Sequence, residues 1–585
     1  MERSGISFPA REKPCLPGVK RPGTLPPLQT AWRRRHTRRR YFVMIQQSTS
    51  PRAAITTPQY LASEAGRRVL ADGGNAIEAI VAAGAVLAVV YPQMCTLGGD
   101  AFYLVHNART GELRGINASG KSGSKVNRKV YEEKRLSTIP SRGPLAAITV
   151  PGIVSGWDLA LEYSSQTMRG TFSLAHLLGD ARSHAERGFP ITRSLSDWIV
   201  EDTKVDDTGR HNLQQYKGFA KIFYPGGRPL RPMETLRQPD LARTLATIAD
   251  KGPRSFYEGS LAKALVKGLA DVGGLLTEDD FASQRAFFVE PLRTAYRNCT
   301  ACNLPPNCQG LSSLQILGIF NCFDARALGE GTAAFYHVLT EAVKRAFADR
   351  ERYVTDPDFS GTDFASLLDP DYLASMARSL PMDRVGNYLL PSLSPQGDTV
   401  WLGCVDREGN AVSYIQSIYH DFGSGIIPEG TGVILQNRGS FFSLDEKHAN
   451  ALEPCKRTMH TLNPPMLLKD GKPYLVYGTM GGDGQPQTQA VIASRIVDFC
   501  MSPEDAVAAP RFLYGRTWGD DSTTLKLEGR IRADVGAQLA SLGHNIEYVE
   551  NFSQSMGHAG AILVKEDGSV DAATDPRSDG LALTL

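Results

Sequence analysis

The sequence predicts a layered α/β protein on three observations. A run of twelve apolar or glycine residues at 79–90 is apolar on every side and too short to cross a bilayer, which makes it a helix buried inside a layered core. Apolar, β-prone segments paired across short polar turns recur at 101–118, 399–419 and 465–478, the pattern of hairpins. Amphipathic helical stretches lie between and after them, and strands covered by helices on their outer faces stack as layers.

Taken in order, residues 60–70 read as an amphipathic helix stopped at Gly73-Gly74. Asn75 caps the apolar helix, with Glu78 at the reciprocal capping position. The strands 101–106 and 112–118 join at Ala108-Arg109-Thr110-Gly111. A helical middle begins near Gly156-Trp157; 174–187 is predicted as one helix closed by Gly188 and Pro190, and 335–353 as another. At Asp398-Thr399 a proline-punctuated polar stretch, 391–397, gives way to the apolar run 400–405, and the texture turns to β structure. Strand 399–405, turn 406–410 and strand 411–419 follow. A further hairpin, 465–468 with 473–478, ends in Gly481-Gly482 and leads into a helix over 487–498.

Length and composition bound the function. With 585 residues, 42% of them hydrophobic, the chain buries a large core. The formal net charge of +2 hides a local +9 within residues 1–44, which leaves the body mildly acidic and without a nucleic-acid footprint. That arm, 1–50, is Pro-rich and then basic, with six Arg between Arg33 and Arg40, and is expected to be a disordered extension. It contains no apolar stretch of signal-peptide length, and no membrane span is recognisable, so a cytoplasmic enzyme is the expectation. Three Asn-x-Ser/Thr sequons, at Asn117, Asn298 and Asn551, would matter only in a secreted chain. Nine cysteines, an odd number spread over the whole length, fit reduced thiols. Cys299 and Cys302 form the one CxxC pair, but a strand places them on opposite faces, against zinc.

Thr399 is the residue around which the chemistry is organised. If the chain is cut after Asp398, Thr399 carries both a hydroxyl nucleophile and, on its own backbone, a free amine whose pKa of about 8 suits it to act as the base. Gly481-Gly482, between a strand and a helix, offers backbone N–H groups for the developing oxyanion. Nucleophile, base and oxyanion donors make an acyl-transfer device that needs no cofactor and no metal.

The order Asn75-Ala76-Ile77-Glu78-Ala79, Leu97-Gly98-Gly99-Asp100-Ala101-Phe102, Thr149-Val150-Pro151-Gly152, Ala348-Asp349-Arg350, Asp398-Thr399, Phe422-Gly423-Ser424-Gly425, Lys456-Arg457, Gly481-Gly482 and Asp575-Pro576-Arg577 resembles the γ-glutamyltranspeptidase family, including its cephalosporin-acylase-like branch. The resemblance covers about residues 54–585. It implies a four-layer αββα sandwich of the N-terminal-nucleophile hydrolase type, made as a proenzyme that cleaves itself between Asp398 and Thr399. The large subunit would be 51–398 and the small subunit 399–585, pairing again as a heterodimer. Carried over by position, the resemblance assigns Thr399 as nucleophile, Ser417 as a supporting hydroxyl, His460 and Thr461 to the paired-hydroxyl positions, and Gly481 and Gly482 as oxyanion donors. It implies glutathione or another γ-glutamyl amide as substrate, with transfer to water or to an amino acid or peptide.

Three departures bear on that substrate. The family's α-carboxylate-binding Arg falls on Ser119, with Lys121 as the only nearby cation; the Asn near the α-amino group is Tyr419, and the Asp that pairs with it is Ser440. An ammonium buried without its carboxylate is costly, so a non-glutamyl acyl amide is the alternative substrate. The short loop 443–455 suggests an open cleft, and His420 is expected on the surface. One motif points elsewhere: Gly115 to Ser122 matches the phosphate-binding loop G-x-x-x-x-G-K-[ST], which needs a parallel strand before it and a helix after it. Neither is predicted here. An inactive, binding-only descendant of the fold is the remaining alternative, and the threonine at 399 speaks against it.

Overall fold

The computed structural model describes residues 51–204, 212–386, 398–515 and 522–585, so the basic arm 1–50 and the polar stretch 391–397 lie outside the described residues. Two antiparallel sheets face each other. The first has seven strands in the order Leu581–Thr584, Ala54–Thr57, Asp398–Val405, Ala411–Tyr419, Asp100–Asn107, Glu112–Ala118 and Phe287–Val289. The second has six, in the order Val570–Thr574, Ala559–Val564, Lys472–Thr479, Met466–Lys469, Cys299–Asn303 and Leu292–Tyr296. Both central hairpins of the sequence reading are thus ladder partners, and the Met466–Lys469 hairpin turns on Asp470-Gly471, both with positive φ, the backbone a two-residue hairpin favours.

Three apolar layers fill the spaces. Phe102, Leu104, Trp401, Ile415, Met466, Val476 and Ile562 pack between the sheets. The helices Tyr60–Ala71, Ala76–Val90 and Ile153–Thr167 cover the outer face of the first sheet. Gly310–Phe320, Ala333–Tyr353 and Gly484–Val497 cover that of the second, which completes the αββα sandwich. No described helix is long and apolar enough to cross a membrane.

Two contacts fix the hairpin that carries Thr399. At its turn, Asp406 accepts from Glu408 N and Asn410 N and also from Ala76 N, tying the turn to the first turn of the buried helix. Asn75 and Glu78 form the reciprocal cap expected there. Nearer Thr399, the Trp401 indole lies against Gly478 and Gly560 of the other sheet, where an added Cβ would stand 2.3 and 2.6 Å from the ring. Those two glycines allow the sheets to close on Trp401, whose Nε1 donates to Ser413 Oγ at 2.9 Å.

Several expectations need correction. The helix predicted over 174–187 is two, Leu174–Leu177 and Gly179–Arg187, divided where Gly179 begins the second. The helix after Gly481-Gly482 starts at Gly484, three residues early, and the helical middle starts at Ile153. The phosphate-loop match fails in context: Gly115 lies in an antiparallel strand between two others, and no helix starts before Arg128. The eight described cysteines are free thiols.

Candidate active site

Thr399 sits at the start of its strand, with its side chain fully buried and Oγ1 without a hydrogen-bond partner among the described residues. A buried hydroxyl left unpaired costs roughly 1–3 kcal/mol, so its persistence calls for an explanation. Opposite it the ladder slips: Gln416 pairs with Val400 and Tyr419 with Asp398, so Ser417 and Ile418 share the place facing Thr399. The bulge bends the backbone until Tyr419 adopts φ +81°, and Ser417 Oγ accepts from Tyr419 N at 2.8 Å. A tyrosine in that region stores strain, which the surrounding packing has to hold.

The segment 436–441 does the holding. Asn437 N donates to Ile418 O at 3.2 Å, Asn437 Oδ1 accepts from His420 N at 2.9 Å, and Gln436 N donates to Gly98 O at 2.9 Å. This docking lays Arg438 across the Tyr419 ring, Cζ to centroid 4.1 Å, while His420 and Phe441 pack on the same ring. Arg438 is 1% exposed; Nη1 donates to Thr461 Oγ1 at 3.3 Å, and Nε and Nη2 have no partner. Burial lowers Arg438 to about 10.

Asp100 and His460 meet beside it, Oδ2 to Nε2 at 3.2 Å. That distance would suit an ion pair. Burial first and the Arg438 charge second hold His460 well below its ordinary value, so the ring is neutral and the contact is a single-proton hydrogen bond. Burial also pushes Asp100 up to about 7, against the opposing pull of Arg438 and of hydrogen bonds including Gly120 N.

Gly481 and Gly482 have φ +115° and +51°, conformations that exclude most side chains. Their N–H groups make no hydrogen bond among the described residues, while Gly481 O accepts from Gly484 N to open the helix. Gln309 Nε2 bridges the carbonyls of Thr461 and Gly482 at 2.6 and 2.8 Å. Arg350 Nη1 in turn grips Gln309 Oε1 and Asp483 Oδ1 at 2.8 and 2.7 Å. The glycine turn is therefore fixed to Thr461, and through Thr461 to Arg438.

The predicted residues divide into two groups. Ser417, Tyr419, Thr461 and His460 gather around the bulge and Arg438 as described. Ser440 lies in the same segment, and its hydroxyl donates to Asn437 O at 2.8 Å. Ser119 instead belongs to a polar cluster, with Oγ donating to Asn117 Oδ1 and Asn307 Nδ2 donating to Ser119 Oγ. Lys121 is half exposed and pairs with Asp358 at 3.5 Å, and it is not the only cation near Ser119: Arg457 Nε donates to Ser119 O at 3.4 Å. His420 is 2% exposed, against the surface placement, because Asn437 fixes its backbone and Tyr419 covers its ring. Ser443, Leu444, Asp445, His448 and Asn450 of the short loop 443–455 line a cavity of about 240 Å³ against Phe441 and Arg350. Of the further residues of this cluster, Asp100 lies within a motif quoted above, whereas nothing local in the sequence marks Gln309 or Arg438.

The family model described as Gamma-glutamyltranspeptidase matches residues 62–585. The chain belongs to the γ-glutamyltranspeptidase family. Among its relatives is the "Glutathione hydrolase-like YwrD proenzyme" of Bacillus subtilis, 43% identical over 534 residues, covering 91% of this chain and 98% of that protein. Another is the "Oxamate amidohydrolase proenzyme" of Klebsiella pneumoniae, 43% identical over 540 residues, covering 92% and 99%. The solved cephalosporin acylase of Bacillus halodurans superposes with a TM-score of 0.82 at 34% identity, covering 92% of this chain and 96% of that one. This γ-glutamyltranspeptidase-family chain is an enzyme of the N-terminal-nucleophile amidohydrolase type with that family's fold. The family acts on small-molecule amides and is processed from a proenzyme into two subunits.

Proposed function

We propose that the chain cleaves itself between Asp398 and Thr399 and then uses Thr399 to hydrolyse or transfer the acyl group of a small amide. In maturation the Thr399 hydroxyl attacks the Asp398 carbonyl, the peptide C–N bond breaks as the ester forms, and water hydrolyses the ester. The fragments 51–398 and 399–585 remain together as a heterodimer, since the strand Ala54–Thr57 pairs directly with Asp398–Val405.

In turnover the freed α-amine takes the hydroxyl proton, Oγ1 adds to the amide carbonyl, and the N–H groups of Gly481 and Gly482 receive the oxyanion. The amine departs with the proton. Water or an amino acid or peptide then takes the acyl group from the ester. The observation that supports this reading is that the buried Thr399 Oγ1 and the Gly481 and Gly482 amides of the glycine turn are left without hydrogen-bond partners among the described residues. No cofactor takes part in the steps as written.

The acyl donor is glutathione, another γ-glutamyl amide, or a non-glutamyl acyl amide. The last reading is favoured by Ser440, which offers no carboxylate for an α-ammonium, and by the Arg438 cation nearby, which would repel one. Comparing a γ-glutamyl anilide with a glutaryl anilide measures what the α-amino group contributes. Thr399→Ala should abolish both fragmentation and turnover, a loss on the order of 10⁴-fold or more. Turnover surviving in that variant removes Thr399 from the mechanism.

A further inference from the structure

The helix Ala333–Tyr353 carries His337 and Glu341 one turn apart, so both side chains leave the same face. His544 meets them from the turn between the helix Ala533–Ser541 and the strand Ile546–Val549, on the other side of the Asp398-Thr399 bond in the chain. One ligand atom from each of the three residues lies within 4.8 Å of the others, and all three residues are buried.

The hydrogen bonds around the cluster aim lone pairs at its centre. His337 Nε2 lies 2.7 Å from Pro381 O, a carbonyl that can only accept, so the proton sits on Nε2 and Nδ1 turns its lone pair to His544 Nε2 at 2.8 Å. A backbone carbonyl on the far nitrogen is the support that metal-bound imidazoles use to fix their tautomer. Glu341 is braced in the same way, since Oε2 accepts from Gly386 N at 3.0 Å. Its Oε1 accepts from the Lys344 ammonium at 2.6 Å, so a cation already stands against the cluster. That ammonium also lies 4.9 Å from the centre of the Tyr514 ring, a face that can keep it when another cation takes the carboxylate.

We propose that His337 Nδ1, His544 Nε2 and Glu341 Oε1 form a binding site for a divalent first-row transition ion such as zinc, and that the ion clamps the segment leading to Asp398 against the C-terminal part of the chain. Imidazole and carboxylate suit such ions. On binding, the two nitrogens and the carboxylate oxygen donate lone pairs to the ion, and the proton that His544 Nε2 shared with His337 moves to His544 Nδ1. Ligands of a tetrahedral zinc at about 2.0–2.1 Å stand about 3.3 Å apart, so the rings part by about 0.5 Å from their present 2.8 Å. The clamp acts where Pro381 and Gly386 contact His337 and Glu341 and where Val385 N donates to Leu542 O at 2.8 Å. The site is assembled in the folded chain and does not depend on cleavage at Asp398.

The test is zinc binding by the full-length protein, stripped with a chelator and dialysed, read by calorimetry and by thermal midpoint. The wild type should take one equivalent, and zinc at about 100 times its Kd should raise the midpoint by several degrees. His544→Ala and Glu341→Gln should each weaken binding by about 100-fold. Lys344→Met, which removes the competing ammonium, should tighten it by about tenfold. No saturable binding, undiminished binding in His544→Ala, or unchanged or weaker binding in Lys344→Met overturns the proposal.

Cobalt(II) on the wild-type protein gives a readout that needs no variant. Visible bands of a four-coordinate nitrogen and oxygen site, displaced by one equivalent of zinc, are the expected result. A near-ultraviolet thiolate band instead places the metal on a cysteine, an adventitious ion only, and overturns the proposal. Thr399→Ala should bind zinc as the wild type does, so either result leaves the assignment of the nucleophile untouched.

Discussion

Two buried arginine sites in this chain have opposite designs. At one end of the second sheet, Asp575 sits between Arg511 and Arg577 at 2.6 and 3.0 Å, and Glu528 meets Arg577 at 2.5 Å. Burial alone would raise Asp575, but the two guanidinium groups outweigh it and hold the carboxyl below its ordinary range. At the nucleophile end, among the described residues, Arg438 has a single hydrogen bond and Thr399 Oγ1 is unpaired, and Asp100 is raised to about 7. The same residue type is structural where its charge is matched and is poised for a ligand where it is not.

The comparison makes predictions of decreasing size. Removing a carboxylate from the matched site should be severe: Asp575→Asn leaves Arg511 and Arg577 short of a counter-charge and should cost about 3–5 kcal/mol, read from denaturant unfolding. A loss below 1 kcal/mol would break the contrast at its structural end. Gly481→Ala should reduce kcat by roughly 100-fold with little effect on KM, because a side chain refuses φ +115°. The added Cβ meets nothing closer than 3.6 Å, so collision is not the cause.

Arg438→Met should leave stability unchanged or raise it by about 1 kcal/mol, since an apolar side chain of similar size removes an unmatched charge. A thermal midpoint several degrees lower would show that Arg438 is as structural as Arg511. The smallest effect is in the pH dependence. Asp100 is raised in the fold, so its contribution to stability is complete below about pH 4, the ordinary carboxylate value, and is lost as pH rises through about 7. The wild-type thermal midpoint should therefore fall relative to Asp100→Asn between pH 5 and 8, and parallel curves would remove Asp100 from that balance.

What was legible in the sequence follows from the range of the forces involved. The hairpin strands and the Asn75–Glu78 cap are local patterns, and they stand where the residues put them. The layered sandwich follows from the all-apolar helix and the ordered motifs together. His420 and Arg438 were not legible, because their burial depends on 436–441 docking onto a bulge whose left-handed Tyr419 leaves no mark in composition. Lys121 misled for the converse reason: it is near Ser119 in sequence, yet its ammonium pairs with Asp358.

The account stands most directly on the residue at the head of the small fragment. Intact-mass and N-terminal analysis of the purified protein should show two chains, the smaller beginning at Thr399 and ending at Leu585, with Thr399→Ala recovered as a single chain. A wild-type protein that stays in one piece, or one cut at any other bond, contradicts it.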